Sequence, residues 1–506
     1  MNSLLFERSS GRLGPNEFAR IQTATLLRSL APAPRFRFDG GERATSDTAA
    51  NPESEGTAPA PGGAVFRSSD GNAVRKVSSL WAHQAGVNAL ALERFDGRIM
   101  ISGGSDATIK IWDLEQCPNP SRPHTYRPLA VVARARGDSP IGGHRFGITH
   151  LSFYPFDSAA FLSCSHDQTL KLWSTERASV SGSFNLGARV YTHATSPIAS
   201  HLLVACGTQH PAVRLVDLRS SAAVQSLIPP GQIGGSAGAT LSTSWSPVHE
   251  HVLATGSADG AVRIWDVRKS NGLVALLDQE DVTGFADVGP LSSSQELAPQ
   301  LAAKAHAGPV NGLAWTDDGT YLISAGHDRR IRVWDAATGA NTLANFGPSI
   351  RNGQMGTVTM FVSPLGLTAP GTELLFFPNE TEILVMDLHE GSTITRLRGM
   401  GPVVASVGTQ RGGERTMKNR ITSLVWRGAG GSGGSSGIVM GGSNTAGGIF
   451  SGHLDGQIRA WLPQFEGVND EGENYGSTDF AEVKSRKRKI LDDTFRSLMG
   501  RQITFS

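Results

Sequence analysis

The chain has 506 residues, with 39% hydrophobic and 18% charged residues, values that are ordinary for a soluble globular protein. Its formal net charge of +1 argues against a surface built to coat nucleic acid or an anionic membrane. Cys117, Cys164 and Cys206 are too widely spaced for a disulfide framework or a paired metal motif, which indicates a reducing compartment. No apolar run of about 18 residues and no secretory signal pattern is present, so we expect an intracellular protein without a membrane span.

Residues 1–37 differ from the rest of the chain and predict a helical segment. A helix is expected to begin near Pro15 and to end before Pro32. Apolar side chains would line two of its sides, which predicts burial on both. The side chains that would dock a partner are Phe18 and Ile21 on one side and Leu26, Leu27 and Leu30 on the other. The alternative, a helix packed on its own domain, stays open. If the segment only docks, deleting residues 1–32 leaves the remaining domain folded.

Residues 38–71 are rich in Gly, Ala, Ser, Pro and Glu and predict a flexible linker. From residue 72 to residue 465 a repeated pattern follows. One complete copy spans residues 305–347, with His306 near its start, Ser324 in the middle, Asp328 in a turn and Trp334-Asp335 at its end. Short alternating segments between these positions predict strands.

The spacing of the repeat identifies it. Asp precedes Trp by six residues in five copies: 106 and 112, 167 and 173, 259 and 265, 328 and 334, 455 and 461. Degenerate copies end at Asp217 and Asp387. The pattern resembles the WD repeat, which implies an all-β, seven-bladed WD40 β-propeller. The structural tetrads expected to lock the blades contain His83, Ser102, Asp106, Trp112; His144, Ser163, Asp167, Trp173; Thr255, Asp259, Trp265; His306, Ser324, Asp328, Trp334; and Ser451, Asp455, Trp461.

Three inserts lengthen the repeats, at residues 116–142, 279–303 and 404–447, the last of low complexity. Blade seven ends with a strand near Leu462 and needs a fourth strand from elsewhere. We expect residues 72–81 to supply it and so to remove the open edge of the ring.

Residues 466–506 predict a flexible tail that carries a basic cluster. The cluster, consisting of Lys484, Arg486, Lys487, Arg488 and Lys489, predicts a nuclear import signal, with a solvated charged tail as the alternative. No aromatic residue interleaves with it, so we expect no direct sequence-specific binding of nucleic acid.

His306, Ser324 and Asp328 also have the residue types of a hydrolase triad. The same set recurs in other repeats, which structural repetition explains and a single active site does not. No nucleophile elbow, phosphate-binding loop or zinc spacing accompanies it. We therefore predict a protein that is not an enzyme and needs no cofactor or metal.

Several stretches resemble the Cockayne syndrome A family of WD-repeat proteins. They include YPFDSAAFLSCSHDQTLKLW (154–173) and, in a degenerate repeat, SPIASHLLVACGTQHPAVRLVDLRS (196–220). The resemblance implies a substrate receptor of a nuclear cullin–RING ubiquitin ligase in transcription-coupled nucleotide excision repair. It implies three partners: the triple-propeller adaptor of the ligase, a Cockayne syndrome B-type ATPase and stalled RNA polymerase II.

The resemblance also implies where the adaptor binds. Residues 1–37 would be the main docking element. Arg268, in Trp265-Asp266-Val267-Arg268, would be a second contact, and Arg219 a weaker candidate. The alternative function is a general WD40 scaffold in chromatin or transcription that works without a ligase.

Overall fold

A computed structural model describes most of the repeat region and parts of the N-terminal segment. The described residues are 2–14, 17, 21, 24–25, 27–41, 81–117, 122–135, 142–220, 222–228, 238–269, 272–280, 304–353, 356–365, 367–368, 371–399, 401, 404–408, 414–427 and 448–463. All of them lie in one compact unit, which runs from Met1 to Gln464.

The structure is a seven-bladed β-propeller, as the repeat spacing predicts. Each of the first four blades is an antiparallel sheet of four strands. Blade one contains β3 (Val87–Leu92), β4 (Ile99–Gly104), β5 (Ile109–Asp113) and β7 (Pro128–Val132). Blade two contains β8 (Ile148–Phe153), β9 (Ala160–Ser165), β10 (Thr169–Ser174) and β11 (Ser179–Asn185). Blade three contains β12 (Val190–Thr195), β13 (Leu203–Thr208), β14 (Val213–Asp217) and β15 (Ala222–Leu227). Blade four contains β16 (Thr240–Trp245), β17 (Val252–Ser257), β18 (Val262–Asp266) and β19 (Leu273–Leu277).

The last three blades are less regular. Blade five has three described strands, with an isolated bridge from Trp334 to Asn341 where a fourth would lie. They are β20 (Val310–Trp315), β21 (Tyr321–Gly326) and β22 (Ile331–Asp335). Blade six contains β23 (Phe361–Val362), β24 (Leu374–Asn379), β25 (Glu382–Asp387) and β26 (Thr393–Arg398). Blade seven contains β29 (Ile421–Arg427), β30 (Gly448–His453), β31 (Ile458–Pro463) and β1 (Leu30–Pro32).

The blades give the propeller two faces. The upper face carries the loops that join one blade to the next and the turns between second and third strands. The lower face carries the loops between first and second strands and between third and fourth strands. Buried aliphatic and aromatic side chains fill the space between adjacent blades, as in the cluster that joins blade five to blade six through Ile323, Val333 and Phe377. This is the burial that alternating strand sequences predict.

The ring is closed by a strand from the N-terminal segment. Leu30 lies opposite Pro463 and Pro32 opposite Trp461 in an antiparallel pair between β1 and β31. The expectation that residues 72–81 supply this strand is wrong. Leu30 is 4% exposed and packs on Trp461 and Leu397, so an apolar strand is favoured there, whereas residues 72–80 lie outside the described residues.

The predicted helical docking segment is not supported. The one complete α-helix in the described parts of the chain is α1 (Asn2–Ser9), which precedes the expected helix. Helical backbone is described at Glu17, Ile21 and four further positions up to Arg28, but the residues between them lie outside the described part. The chain continues as a strand, Leu30–Pro32. Proline has no backbone N–H to donate, but Pro32 is tolerated because it is the last residue of an edge strand.

A second N-terminal strand fastens the segment to blade one. In a parallel pair, β2 (Phe36–Phe38) lies beside β6 (His124–Tyr126). The Phe38 ring stacks on Tyr126 with centroids 4.9 Å apart and meets Trp112 edge-on at 5.2 Å. Residues 30–38 therefore belong to the propeller itself and join blade seven to blade one.

Two of the three expected inserts contain strands of the fold. The 116–142 stretch holds β6 and β7, the latter being the outer strand of blade one. The 404–447 stretch holds a hairpin of β27 (Val404–Gly408) and β28 (Glu414–Lys418), followed by β29, the first strand of blade seven. Its Ile421-Thr422-Ser423-Leu424 run has the alternation of a strand, which the neighbouring glycines mask in the sequence. Residues 281–303 lie outside the described residues.

Candidate functional site

The structure brings the repeated His, Ser, Asp and Trp together in blades one, two and five. In blade five, Trp334 Nε1 donates to Ser324 Oγ at 2.9 Å, and the same oxygen is 2.8 Å from His306 Nε2. His306 Nδ1 lies 2.9 Å from Asp328 Oδ1. The corresponding sets are His83, Ser102, Asp106 and Trp112 in blade one, and His144, Ser163, Asp167 and Trp173 in blade two.

The electrostatics of these tetrads favour one protonation state. Burial lowers the pKa of His306, more than the Asp328 carboxylate raises it. Burial alone would raise the pKa of Asp106, but hydrogen bonds from His83 and Thr108 outweigh it and hold this pKa at about 2. The His306 imidazole of blade five is therefore neutral, and the Asp106 carboxylate of blade one is ionised. With Nδ1–H donating to the carboxylate, Nε2 accepts the serine proton and the serine accepts the indole N–H.

The tetrad serines are not placed to attack a substrate. Ser102, Ser163 and Ser324 are all fully buried, each between an indole and an imidazole. A nucleophile must reach its substrate, whereas these hydroxyls satisfy buried donors and acceptors that would otherwise cost stability. The tetrad is therefore a structural hydrogen-bond network that holds neighbouring strands together, and we call it the lock of its blade.

Blades four and seven build the lock from other residues. In blade four, Thr255 Oγ1 accepts from Trp265 Nε1 at 2.8 Å, and Arg263 replaces the histidine by donating to Asp259 at 2.6 Å. In blade seven, Ser451 Oγ accepts from Trp461 Nε1 at 2.8 Å and meets His453 Nε2 at 2.9 Å. Sequence reasoning missed His453, because it lies two residues after the serine and not in the preceding loop.

A cation four residues after each tetrad aspartate was also missed, although the sequence shows it. Arg263, Arg332 and Arg459 each bond the aspartate of their own blade. In blades one and two the equivalent residue is lysine, and it donates to backbone instead: Lys110 Nζ to Gly40 O at 3.0 Å, Lys171 Nζ to Gly142 O at 2.7 Å. The Lys110 bond fastens the end of the N-terminal segment to blade one.

The degenerate blades keep the terminal aspartate without the tryptophan. Asp217 accepts from the Arg219 N–H and Asp387 from the His389 N–H, both at 2.9 Å. Each aspartate therefore fixes the turn that leaves its strand on the lower face.

Arg268, the candidate adaptor contact, lies on the lower face of blade four. Its Nε donates to Asp266 Oδ1 at 3.0 Å and its NH2 group to Asp266 Oδ2 at 2.9 Å. This bidentate hydrogen bond is the main reason why the pKa of Asp266 is lowered. The Arg268 side chain is 65% exposed, so the guanidinium is held in one orientation while facing solvent. Arg219 lies exposed in the same loop of blade three.

Exposed apolar side chains surround the lower mouth of the central channel. Phe156, Ile198, Val248 and Leu365 are 45% to 69% exposed and lie in the first-to-second-strand loops of blades two, three, four and six. The loops touch one another: Ser200 N–H donates to Glu250 at 3.3 Å, and Leu365 N–H donates to Asp317 at 3.1 Å. Exposed apolar side chains that lie on neighbouring loops in this way are typical of surfaces that bind other proteins.

The expected docking side chains have different environments. Leu27 and Leu30 are 3% and 4% exposed and pack inside the propeller, between blades six and seven, so neither presents a surface to a partner. Ile21 is half-buried, and Phe18 and Leu26 lie outside the described residues. The interpretation of the segment as a helix packed on its own domain, which stayed open on sequence, agrees with Leu27.

Two histidines and a cysteine meet between the inner strands of blades two and three. His193 Nδ1 lies 3.2 Å from His150 Nδ1 and 3.0 Å from Cys164 Sγ, while its Nε2 meets Ser152 Oγ at 2.7 Å. Burial lowers the pKa of His150 to about 4 and that of His193 well below its usual value. Among the described residues, no group of three or more His, Cys, Asp or Glu side chains is arranged to hold a metal ion.

The predicted import cluster, Lys484 to Lys489, lies outside the described residues. No helix in the described parts of the chain has both the length and the apolar character of a membrane span.

Fold and lock geometry define the class: this chain is a β-propeller built from WD40 repeats. The pattern of the WD domain, G-beta repeat, matches residues 74–113, 139–174, 232–266 and 299–335, which contain the tetrads of blades one, two, four and five. The chain is 29% identical over 376 residues to WD repeat-containing protein ATCSA-1 of Arabidopsis thaliana, covering 63% of this chain and 79% of that protein.

Two other relatives carry different names. Radiation-sensitive protein 28 of Saccharomyces cerevisiae is 28% identical over 40% of this chain and 41% of its own length. Ribosome biogenesis protein ytm1 of Aspergillus terreus is 28% identical over 50% of this chain and 54% of its own length. The prediction that the chain is a member of the Cockayne syndrome A family is wrong on these findings. Proteins named for different processes match at nearly equal identity, so the similarity specifies WD40 repeats and no narrower family.

Proposed function

We propose that the protein is a substrate-receptor subunit of a nuclear cullin–RING ubiquitin ligase that acts in transcription-coupled nucleotide excision repair. In this role the propeller is a scaffold that joins two partners and carries out no chemistry itself. Two similarities support this proposal. One is to WD repeat-containing protein ATCSA-1, and the other is to radiation-sensitive protein 28, whose name refers to sensitivity to radiation.

The observation that carries the proposal is the convergence of three features on the lower face. β1 is antiparallel to β31, a third strand that runs from the upper to the lower face, so β1 runs upward and the chain before Leu30 enters from below. Arg268 and Arg219 also lie on this face, and so do the exposed apolar side chains of the first-to-second-strand loops. A docking interface combines such apolar area with oriented arginines.

The residues that we propose to contact the adaptor differ from those expected from the sequence. Because Leu27 and Leu30 are buried in the propeller, the contacts with the adaptor come from the chain before Leu27, which includes α1 with its 69% exposed Phe6. Arg268 supplies a second, pre-oriented contact. A remodelling ATPase and stalled RNA polymerase II are the further partners of this proposed role, and both stay predictions.

A second candidate function is ribosome biogenesis without a ligase. It is favoured by the ytm1 match, which covers half of this chain. Purification of the tagged full-length protein from nuclei, followed by mass spectrometry, separates the two functions. Recovery of the triple-propeller adaptor with a cullin supports the receptor role. Recovery of pre-ribosomal proteins without adaptor or cullin would reject it in favour of the second candidate, and recovery of neither would leave a scaffold of another process.

A further inference from the structure

The upper face carries a cluster of cations over blades five, six and seven. We name it the upper basic arc; it consists of Arg329, Arg330, Arg351, Lys418 and Arg420. Arg329 and Arg330 lie in the turn between β21 and β22, Arg351 precedes blade six, and Lys418 and Arg420 precede β29. Arg329 and Arg330 are exposed, and the Arg351 and Lys418 side chains are 64% and 53% exposed.

The carboxylates beside the arc are already committed to cations. Asp328 bonds Arg332 at 2.9 Å, and Asp455 bonds Arg459 at 2.5 Å. Glu380 is shared by Lys418 and by Arg351, the latter at 3.7 Å. In the described loops of these three blades, the arc therefore keeps an excess of positive charge. The opposite mouth of the channel is more acidic: its loops carry Asp96, Asp157, Glu250, Asp317 and Asp318 beside Arg94 and Arg98.

The arc is held in place by the fold. Arg330 N–H donates to Asp328 Oδ1 at 3.1 Å, so the blade-five lock also fixes the turn that presents both arginines. Ile421 N–H donates to Glu380 O at 2.6 Å, which ties the turn of blade six to the start of blade seven. Asn352, next to Arg351, exchanges hydrogen bonds with Asn311 of blade five. Pre-oriented cations lose little freedom on binding, which strengthens their pairing with an anion.

Arg420 shows that the charge of the arc is incompletely compensated. Its Nε is buried and has no hydrogen-bond partner among the described residues. Burial lowers the pKa of this guanidinium, and Glu380 offsets that effect only in part. An added negative charge above the arc would therefore be stabilised electrostatically.

The kind of anion follows from what surrounds the arc. The exposed aromatic side chains of the described residues, Phe6, Trp81, Phe146 and Phe156, lie outside the upper loops of these three blades. Single-stranded nucleic acid binds through aromatic stacking together with cations, and the arc offers cations alone. Arginine pairs with a carboxylate through two parallel hydrogen bonds. We propose that the upper basic arc binds an acidic segment of a protein partner, whose carboxylates pair with Arg329, Arg330 and Arg351.

The arc faces away from the lower face, so this inference does not rest on the proposed ligase function. Under that function, it is the surface that recruits a target while the lower face holds the adaptor. The same acidic segment would bind if the protein were a scaffold without a ligase.

Fluorescence anisotropy with full-length protein and a short labelled peptide of alternating Glu and Ser tests the proposal. We expect saturable binding that weakens with salt and falls roughly tenfold in Arg329→Glu/Arg330→Glu, because two favourable charges become unfavourable. The matched control is Arg94→Glu/Arg177→Glu, which makes the same change of net charge with exposed arginines of the lower face. This control should bind like the wild type.

Three outcomes would overturn the proposal. The first is no saturable binding of the Glu/Ser peptide. The second is an equal loss in both double variants, which would reduce the effect to net charge. The third is tighter binding of a single-stranded oligonucleotide of equal charge, lost in the arc variant, which would assign the surface to nucleic acid. Unchanged thermal unfolding shows that the arc variant folds, and Arg351→Glu serves as a second variant should it not.

Discussion

Leu30 and Pro463 lie opposite each other in blade seven, so the N-terminal segment and the last described strand share one sheet. A ring of sheets that closes on itself has no unpaired edge at the join. Leu30 adds apolar burial to this pairing, because it packs on Trp461 and Leu397. The N-terminal segment therefore closes the ring. Its removal is expected to destabilise the propeller itself, whatever its effect on partner binding.

Deleting residues 1–40 should destabilise the propeller. The deletion removes β1, β2 and the carbonyl that accepts from Lys110, and it exposes the Trp461 side of blade seven. Burying a single leucine or phenylalanine side chain is worth about 1.5–3 kcal/mol, and Leu27, Leu30, Phe36 and Phe38 are all lost. Differential scanning calorimetry should show a much lower Tm. The expectation that a protein without residues 1–32 stays folded is thereby revised.

Deletion of residues 1–14 is the matched control for this experiment. It removes α1 and leaves both strands in place, so the Tm should stay near that of the wild type. Equal Tm values for the long deletion and the wild type would show that β1 does not close the ring in solution.

Asp328→Ala should lower the free energy of unfolding by about 1–3 kcal/mol, because His306 and Arg332 lose their acceptor in a buried setting. Urea unfolding followed by tryptophan fluorescence measures the change. Glu176→Ala, at an exposed position in blade two, is the control and should leave the midpoint unchanged. A wild-type midpoint for Asp328→Ala would mean that the blade-five lock contributes nothing to stability.

The repeat spacing predicted the ring of blades and the positions of the locks, because each copy repeats the same Asp-to-Trp interval. It could not predict β1, whose three residues show no periodicity and whose partner strand is more than four hundred residues away in the sequence. Nor could it separate Leu27 and Leu30 from a docking surface, since an apolar stripe looks the same whether its own domain or a partner covers it. The upper basic arc could not be predicted for a related reason: its five cations come from three segments of the chain and come together only in the fold.

Stability should fall as the pH drops from about 6.5 to about 4. The pKa of His150 is lowered by burial from 6.5 to about 4, so in this range the unfolded chain binds a proton that the folded protein does not. Linkage then favours unfolding, by at most about 3 kcal/mol for this residue, and by less because His150 is only half-buried. His193, which is 1% exposed, acts in the same direction.

Urea midpoints measured across that pH range test the assignment. His150→Gln should flatten the slope between pH 6.5 and pH 4, because glutamine does not titrate. A second loss should begin below about pH 3.8, as Asp106, whose pKa is held at about 2, gains a proton in the unfolded chain first. An unchanged slope in His150→Gln would assign the upper range to other groups.

Gly456→Ala should cost more stability than Gly371→Ala. Both glycines have positive φ, +81° and +78°, so alanine brings backbone strain of roughly 1–2 kcal/mol at each. Only at Gly456 would the added Cβ collide with the carbonyl oxygen of His83, where blade seven meets blade one; Gly371 faces open space. Crowding of this kind costs about 1–3 kcal/mol more. Equal urea midpoints for the two variants would show that the contact between these blades relaxes freely.

Arg268→Ala should weaken binding to the ligase adaptor without changing the Tm. The guanidinium is 65% exposed and its partner is one adjacent carboxylate, so the fold loses little when it is removed. An interface arginine that becomes buried by a partner contributes about 2 kcal/mol or more, which corresponds to an affinity loss of about thirtyfold. Isothermal titration with purified adaptor measures it.

Two further variants show whether the oriented fork of Arg268 is what the adaptor recognises. Arg268→Lys keeps the charge but cannot hold both Asp266 oxygens while presenting free N–H groups, so it should resemble the alanine variant. Lys269→Ala, which removes an exposed cation at the next position, should bind normally. Full affinity in Arg268→Lys would reduce the contact to simple charge. Full affinity in Arg268→Ala would remove blade four from the adaptor interface and leave the segment before Leu27 as the docking element.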